Sequence, residues 1–260
     1  MVNYLLEVKT VQTSAFRVLI EALKEILTDA NFEFSDTGLK VIAMDSSHTV
    51  LVHLKLEGKN FEHYFCKNKL TIGINMINMF KLIKTMGNSD MLTLYIEENN
   101  ESLLGIKIEN SEKNSVTNFK LNLMDLHEEN IQIPPAEFDS VITMPSSDFQ
   151  KITRDMHNLA DNIEIKSLEN QIIFNCKGNF ASQETCIGET NMGMSFIKNH
   201  NPDEIVQGVF ALKHLVLFSK CTNLCNSIEM YLKNDYPLII KYTVASLGEI
   251  KLCLAPKCDN

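Results

Sequence analysis

The chain repeats itself at half its length. A helical pattern that begins at Ser14-Ala15-Phe16 runs into Asn31-Phe32-Glu33-Phe34, and a similar one that begins at Ser147-Asp148-Phe149 runs into Asn162-Ile163-Glu164-Ile165. The two phenylalanines are 133 residues apart and the two asparagines 131, in a chain of 260. Gly73 to Met86 and Gly208 to Cys221 form a second pairing, displaced by 135. An internal repeat of this length means two copies of one supersecondary arrangement rather than a single large core. The expected division is an N-terminal domain over 1–121, a connector over 122–137 and a C-terminal domain over 138–260.

Within each copy, alternating apolar residues predict strands and a 3.6-residue period predicts helices. In the first half strands are expected at Val2 to Val8, Phe32 to Phe34, Leu39 to Met44, Val50 to Leu56, Tyr64 to Ile72, Met91 to Glu97, Leu103 to Glu109 and Asn118 to Met124. Helices are expected after Ser14 and at Asn75 to Met86. The second half gives strands around Val141, Ile163, Ile172 and Cys186, then at Ile228 to Leu232, Leu238 to Val244 and Ile250 to Leu254. Its helices start near Phe149 and at Leu212, the latter running to Cys221. Many strands and four helices make an α+β protein with antiparallel sheets and the helices confined to one face. The connector holds Pro134, Pro135 and several acids, and is extended. Leu126, Ile131 and Ile133 make it too apolar for a simple spacer, so it is either a docking strip or is pinned to its own domain.

A formal charge of −9 excludes a protein whose whole surface attracts phosphate. No apolar run approaches the ~18 residues of a membrane span, and Met1-Val2-Asn3-Tyr4 lacks the pattern of a signal peptide, so a cytosolic or nuclear protein with no membrane partner is expected. Seven scattered cysteines are an odd number and form no disulfide framework. Cys221 and Cys225 lack matched histidines at zinc spacing, so no metal and no cofactor is expected.

The helices carry the chain's informative charges. At about 100° per residue, Met76, Met79, Phe80, Leu82, Ile83 and Met86 share one side of their helix, and Lys81 and Lys84 lie about 150° from it. Lys151 and Arg154 lie roughly 160° from Phe149, Ile152, Met156 and Leu159. Lys213 and Lys220 fall about 20° apart and face away from Leu215 and Phe218. Arg17 and Lys24 have the same spacing but flank their apolar stripe, on a helix that also bears Glu21 and Glu25. One such helix is an ordinary solvated face, whereas four on a common surface fit a phosphate backbone. With no aromatic or amide side chains beside the lysines to read bases, the expected partner is duplex DNA, bound without regard to sequence.

Met44-Asp45-Ser46-Ser47-His48, followed by an alternating strand, resembles a signature of proliferating cell nuclear antigen, the eukaryotic and archaeal sliding clamp family. Glu21-Ala22-Leu23-Lys24, Leu123-Met124-Asp125-Leu126, Met144-Pro145-Ser146, Arg154-Asp155 and Leu254-Ala255-Pro256-Lys257 agree in the same order along the whole chain. The resemblance implies a homotrimeric ring of two-domain subunits, with sheets outside and four helices lining a hole for duplex DNA. It implies Arg17, Lys24, Lys81, Lys84, Lys151, Arg154, Lys213 and Lys220 as the lining cations. Val18 stands where the family commonly has a further lysine. It also implies a pocket for partner peptides that end in a helical turn with two aromatic residues, built from Met44, His48, Leu126, Ile131, Ile133, Pro134, Pro237, Ala255 and Pro256. The implied partners are a DNA polymerase, a clamp loader and other proteins with such a motif, in the nucleus or at a viral replication site. Ring closure is expected to use the strand containing Leu103 to Ile108 and the strand around Cys176 to Cys186. Thr49 and Cys253 depart from the family's usual choices, and Glu169 stands at its modified lysine.

Asp45, Ser46, Ser47 and His48 are the residue types of a hydrolase triad, but consecutive residues on a loop do not converge. His53 and His63 lie on or near strands without a catalytic pattern, and no enzyme is expected. Three assemblies remain open to the sequence: a homotrimeric clamp, one subunit of a heterotrimeric clamp, and a monomeric peptide-binding scaffold.

Overall fold

In a computed structural model the structure describes residues 3–127, 131, 133, 136–168, 170–198 and 205–257. Pro134 and Glu169 lie outside them. The chain divides into two compact units. The first comprises 1–46, 52–131 and 243–250, and the second 47–51, 132–242 and 251–260.

The first half runs β1 (Tyr4–Thr10), α1 (Thr13–Ile26), β2 (Asp29–Ser35), β3 (Gly38–Met44), β4 (Val50–Glu57), β5 (His63–Cys66), β6 (Leu70–Asn75), α2 (Met76–Ile83), β7 (Asp90–Glu97), β8 (Leu103–Asn110) and β9 (Ser115–Asn122). The second runs β10 (Ser140–Pro145), α3 (Ser146–His157), β11 (Asn162–Leu168), β12 (Gln171–Lys177), β13 (Ser182–Gly188), β14 (Ser195–Lys198), β15 (Val206–Ala211), α4 (Leu212–Phe218), β16 (Ser227–Leu232), β17 (Leu238–Val244) and β18 (Gly248–Leu254). The repeat is visible in this order. β1-α1-β2 corresponds to β10-α3-β11, and β6-α2-β7 to β15-α4-β16.

In the first unit one sheet has the order β5-β1-β7-β8-β9, and β4, β3, β2 and β6 follow one another in a second. In the second unit β13-β12-β11-β15 form one sheet and β14, β10, β16, β17 and β18 follow one another in another. Strand pairs in each unit are antiparallel, as in β7 against β8 and β11 against β12. Period-2 burial explains why the strands form: β2 reads alternately half-buried and buried from Asp29 to Ser35, and β11 alternates in the same way.

The helices bury one stripe each, against each other and the sheet beneath. α1 lies against α2 and β7, and α3 against α4, β10 and β16. Phe16, Leu19, Ile20 and Leu23 on α1 are almost fully buried, as are Phe149 and Met156 on α3. Each such side chain contributes about 1.5–3 kcal/mol relative to leaving it in water. α2 begins where the Asn75 side chain accepts the Asn78 N–H at 2.9 Å, an N-cap that satisfies one orphan donor. α3 has no side-chain cap, because its N-cap residue is Pro145, which has no side-chain acceptor; Ser146, the first helical residue, donates its hydroxyl to the Cys225 carbonyl at 2.6 Å.

Four expectations change. The single strand foreseen over Tyr64 to Ile72 is two strands, β5 and β6, in different sheets. Lys67-Asn68-Lys69 is a polar break between them, and local alternation does not encode which sheet a strand joins. β14 and β15 were not foreseen from their short patterns. α2 closes at Ile83 rather than Met86, and α4 at Phe218, where the chain tightens into a 3₁₀ helix over Ser219–Leu224. The strand proposed for ring closure, β8, is paired on both sides, by β7 and β9. The end strand of that sheet is β9, and β13 is an end strand of the second unit.

Candidate nucleic-acid interface and peptide cleft

The eight sequence-selected cations separate into two groups. Lys81, Lys84, Lys151, Arg154, Lys213 and Lys220 are exposed, and among the described residues none of them is in an ion pair. Their helices fix the direction: Met79 and Ile83, Ile152 and Met156, and Leu215 and Phe218 are buried, which turns the intervening lysines and arginine to solvent. Lys81 and Arg154 also lie in the last turn of their helices, where a cation complements the helix dipole.

Arg17 and Lys24 are different. Arg17 is half-buried, and its Nη1 donates to the Met86 carbonyl at 2.7 Å, tying α1 to the segment that follows α2. Lys24 pairs with Glu25 and sits 4.8 Å from the centroid of the Phe80 ring. Glu21 and Glu25 are exposed on the same helix. The flanking position read from the sequence is therefore where the fold consumes these two charges.

The strands handle cations in another way. Glu7 and Lys9, Lys55 and Glu57, Lys107 and Glu109, and Glu164 and Lys166 are each two residues apart, and pair at 3.1, 2.7, 2.7 and 3.0 Å. Residues i and i+2 of a strand share a face, so each lysine is neutralised by its own strand. The hydrogen bond from Lys55 holds the Glu57 carboxyl below the usual range, and the same bond holds the ammonium above its own. This spacing was present in the sequence and marks these four lysines as spent.

The residues expected to hold a peptide are placed as follows. In the first unit Met44, Leu126 and Ile131 line one cleft of about 610 Å³, together with Ile42 and Ala43. Asp29, Asn31, Glu33, Lys40, Lys69 and His127 give it a polar wall that the sequence reading missed, with Lys69 and Glu33 paired at 2.9 Å. In the second unit the Ala255 N–H donates to the Thr49 carbonyl at 3.0 Å, which brings the C-terminal segment against the turn that carries His48. His48 is exposed with φ of 52°, a left-handed conformation uncommon outside glycine. The Lys257 N–H donates to the Val209 carbonyl at 2.8 Å, strapping the same segment to β15. Pro237 and Pro256 are half-buried and Ile133 is exposed.

Among the described residues no cluster of three or more metal-ligating side chains occurs, and no helix is long and apolar enough to cross a membrane. Cys221 is buried, and burial raises its thiol far above the ordinary value. Burial likewise pushes the Cys253 thiol up to about 11, so both act as apolar core groups.

Residues 5–130 match the N-terminal domain of proliferating cell nuclear antigen, and residues 132–257 match its C-terminal domain. The chain belongs to the proliferating cell nuclear antigen family. One similar protein of this family, from Paramecium bursaria Chlorella virus 1, bears the name probable DNA polymerase sliding clamp 1. It is 37% identical over 258 residues, covering 98% of this chain and 97% of the relative. Proliferating cell nuclear antigen domains thus account for both copies of the repeat. Their family is one of non-catalytic sliding clamps, and this chain is a sliding clamp.

Proposed function

We propose that this sliding clamp closes as a homotrimer around duplex DNA and holds a DNA polymerase there, making synthesis processive. The observation that carries the reading is the contrast in charge. Lys9, Lys55, Lys107 and Lys166 on the strands are neutralised two residues away, whereas Lys81, Lys84, Lys151, Arg154, Lys213 and Lys220 stay available on exposed helix faces. Unpaired cations attract a phosphate backbone through counterion release without reading sequence, and the remaining acids keep DNA off other surfaces. Weak, exchangeable contacts suit a protein that must slide, because topology and not affinity retains it.

Partners, in this reading, dock by peptide. Met44, Leu126 and Ile131 in the cleft of the first unit supply apolar anchor sites, and His48, Ile133, Pro134, Pro237, Ala255 and Pro256 complete the family's docking positions. The clamp loader, polymerase and other motif-bearing proteins would compete for this strip, with the 122–137 segment acting as the connector between the domains 1–121 and 138–260. We place this activity in the nucleus, and the viral source of the relative supports a replication site inside a host cell.

The test is a primer-extension assay on a closed template with loader and polymerase. Replacing Lys81, Lys84, Lys151 and Arg154 together by alanine is expected to reduce stimulation and to flatten its salt dependence. Ile131→Asp is expected to abolish stimulation while leaving the assembly intact. Full stimulation by the quadruple variant at all salt concentrations would remove the DNA reading, and full stimulation by Ile131→Asp would remove the cleft.

A further inference from the structure

Past β9 the chain is fastened to the first unit at three successive points. The Leu123 N–H donates to the Ser102 carbonyl at 2.9 Å. The Met124 N–H then donates to the Gly73 carbonyl at 2.9 Å, an isolated antiparallel bridge on the end strand β6. Leu126 then enters the cleft wall, and the carbonyl of the next residue, His127, accepts the Asn31 side-chain amide at 3.2 Å. Asn31 and Gly73 are directly opposite one another in the β2–β6 pair. One cross-strand pair therefore makes the last two fastenings.

The glycine is required by space. A Cβ at position 73 would lie 2.3 Å from the Met124 carbonyl oxygen and 2.8 Å from Leu126 Cγ. The first contact is with backbone, which cannot rotate aside, so any side chain there lifts the segment from β6. Asn31 acts at the other end: without its amide the His127 carbonyl loses its tether to β2.

We propose that the Asn31–Gly73 pair is a positioning element for the peptide cleft, buckling the 124–127 segment onto the sheet so that Leu126 and Ile131 stand beside Met44 before any peptide arrives. The proposal rests on the peptide-docking reading above. Affinity in such a site depends on how little has to be ordered on binding, and a buckled wall has already lost that freedom. Gly73 acts here without lining the cleft, which separates positioning from contact.

The experiment compares Gly73→Ala, Asn31→Ala and Ile131→Asp, using as probe a synthetic peptide with two aromatic residues in a terminal helical turn. Three quantities are measured on the full chain: peptide Kd, thermal midpoint, and amide hydrogen exchange over 123–127 without peptide. Asn31→Ala is expected to weaken binding about fivefold, the worth of one hydrogen bond, and Gly73→Ala more than tenfold. Both are expected to speed exchange over 123–127 in the free protein, which loss of a peptide contact alone would not do. If Gly73→Ala fails to fold, Asn31→Ala decides through its hydrogen exchange over 123–127, because Asn31 also lines the cleft and its Kd alone would not separate positioning from contact. Unchanged Kd in the Asn31 and Gly73 variants, with Ile131→Asp inactive, overturns the positioning role and leaves the cleft standing. Unchanged exchange with weakened binding also overturns it. Unchanged binding by Ile131→Asp overturns the cleft itself, and this proposal with it.

Discussion

Tyr242, on β17, has a hydroxyl with no hydrogen-bond partner among the described residues, although the side chain is fully buried. Burial pushes its phenol well above the ordinary value, and the nearby Cys221 and Cys225 add to the shift. A buried hydroxyl left unbonded costs more than the bond it could have made in water. Tyr242→Phe is therefore expected to raise stability by about 1 kcal/mol, seen as a higher urea midpoint at unchanged slope. A lower midpoint would mean that the hydroxyl is satisfied inside the core. This orphan was not legible beforehand: alternation places Tyr242 on the inner face of its strand but says nothing about which acceptors face it.

At the scale of elements, α1 shows how a helix can look like its neighbours and serve differently. Its amphipathic period, its buried stripe and its two cations were legible, because a 3.6-residue period needs only local sequence. What Arg17 does was not, since its acceptor at Met86 is 69 residues away. Arg17→Lys keeps the charge and removes the planar, directed donor that reaches this carbonyl. It is expected to lower stability by about 1 kcal/mol and to leave duplex binding unchanged. By contrast Lys81→Ala with Lys84→Ala should reduce the slope of log affinity against log salt by about 2, if both meet phosphates. Fluorescence anisotropy of a short linear duplex over a salt series measures both variants. Arg17→Ala removes the charge as well, and a slope lowered by about 1 in that variant would return α1 to the DNA surface. The splitting of the 64–72 stretch into β5 and β6 teaches the same lesson for strands. Alternation identifies extended chain, and sheet membership is set by distant partners such as Glu7 for Phe65 and Phe32 for Ile72.

For the whole molecule, the end strands β9 and β13 leave one side of their backbone unpaired within their sheets. Exposed sheet edges invite pairing with another chain, and a head-to-tail contact between two different edges closes into a ring when the rotation per subunit permits. Light scattering is expected to give about 88.5 kDa, three chains of 29.5 kDa. Val116 on β9 is 54% exposed, so Val116→Asp should leave the chain folded while placing a charge in a contact that excludes water. A monomer mass for this variant, with an unaltered thermal transition of the chain itself, is the expected result. A monomer for the unsubstituted protein at micromolar concentration would instead favour the heterotrimeric or single-chain reading.

The sequence by itself determined the duplication, the α+β class, the solvent-facing side of each helix and the family, because all of these are written in local periodicity or in motifs that stay collinear. Only the tertiary structure decided that Arg17 is consumed by the Met86 carbonyl, that β9 and not β8 ends its sheet, and that Asn31 and Gly73 jointly fasten the 124–127 segment. These are consequences of chain segments meeting across tens of residues. A one-dimensional pattern fixes which face a side chain shows, while what that face meets depends on where every other segment has packed.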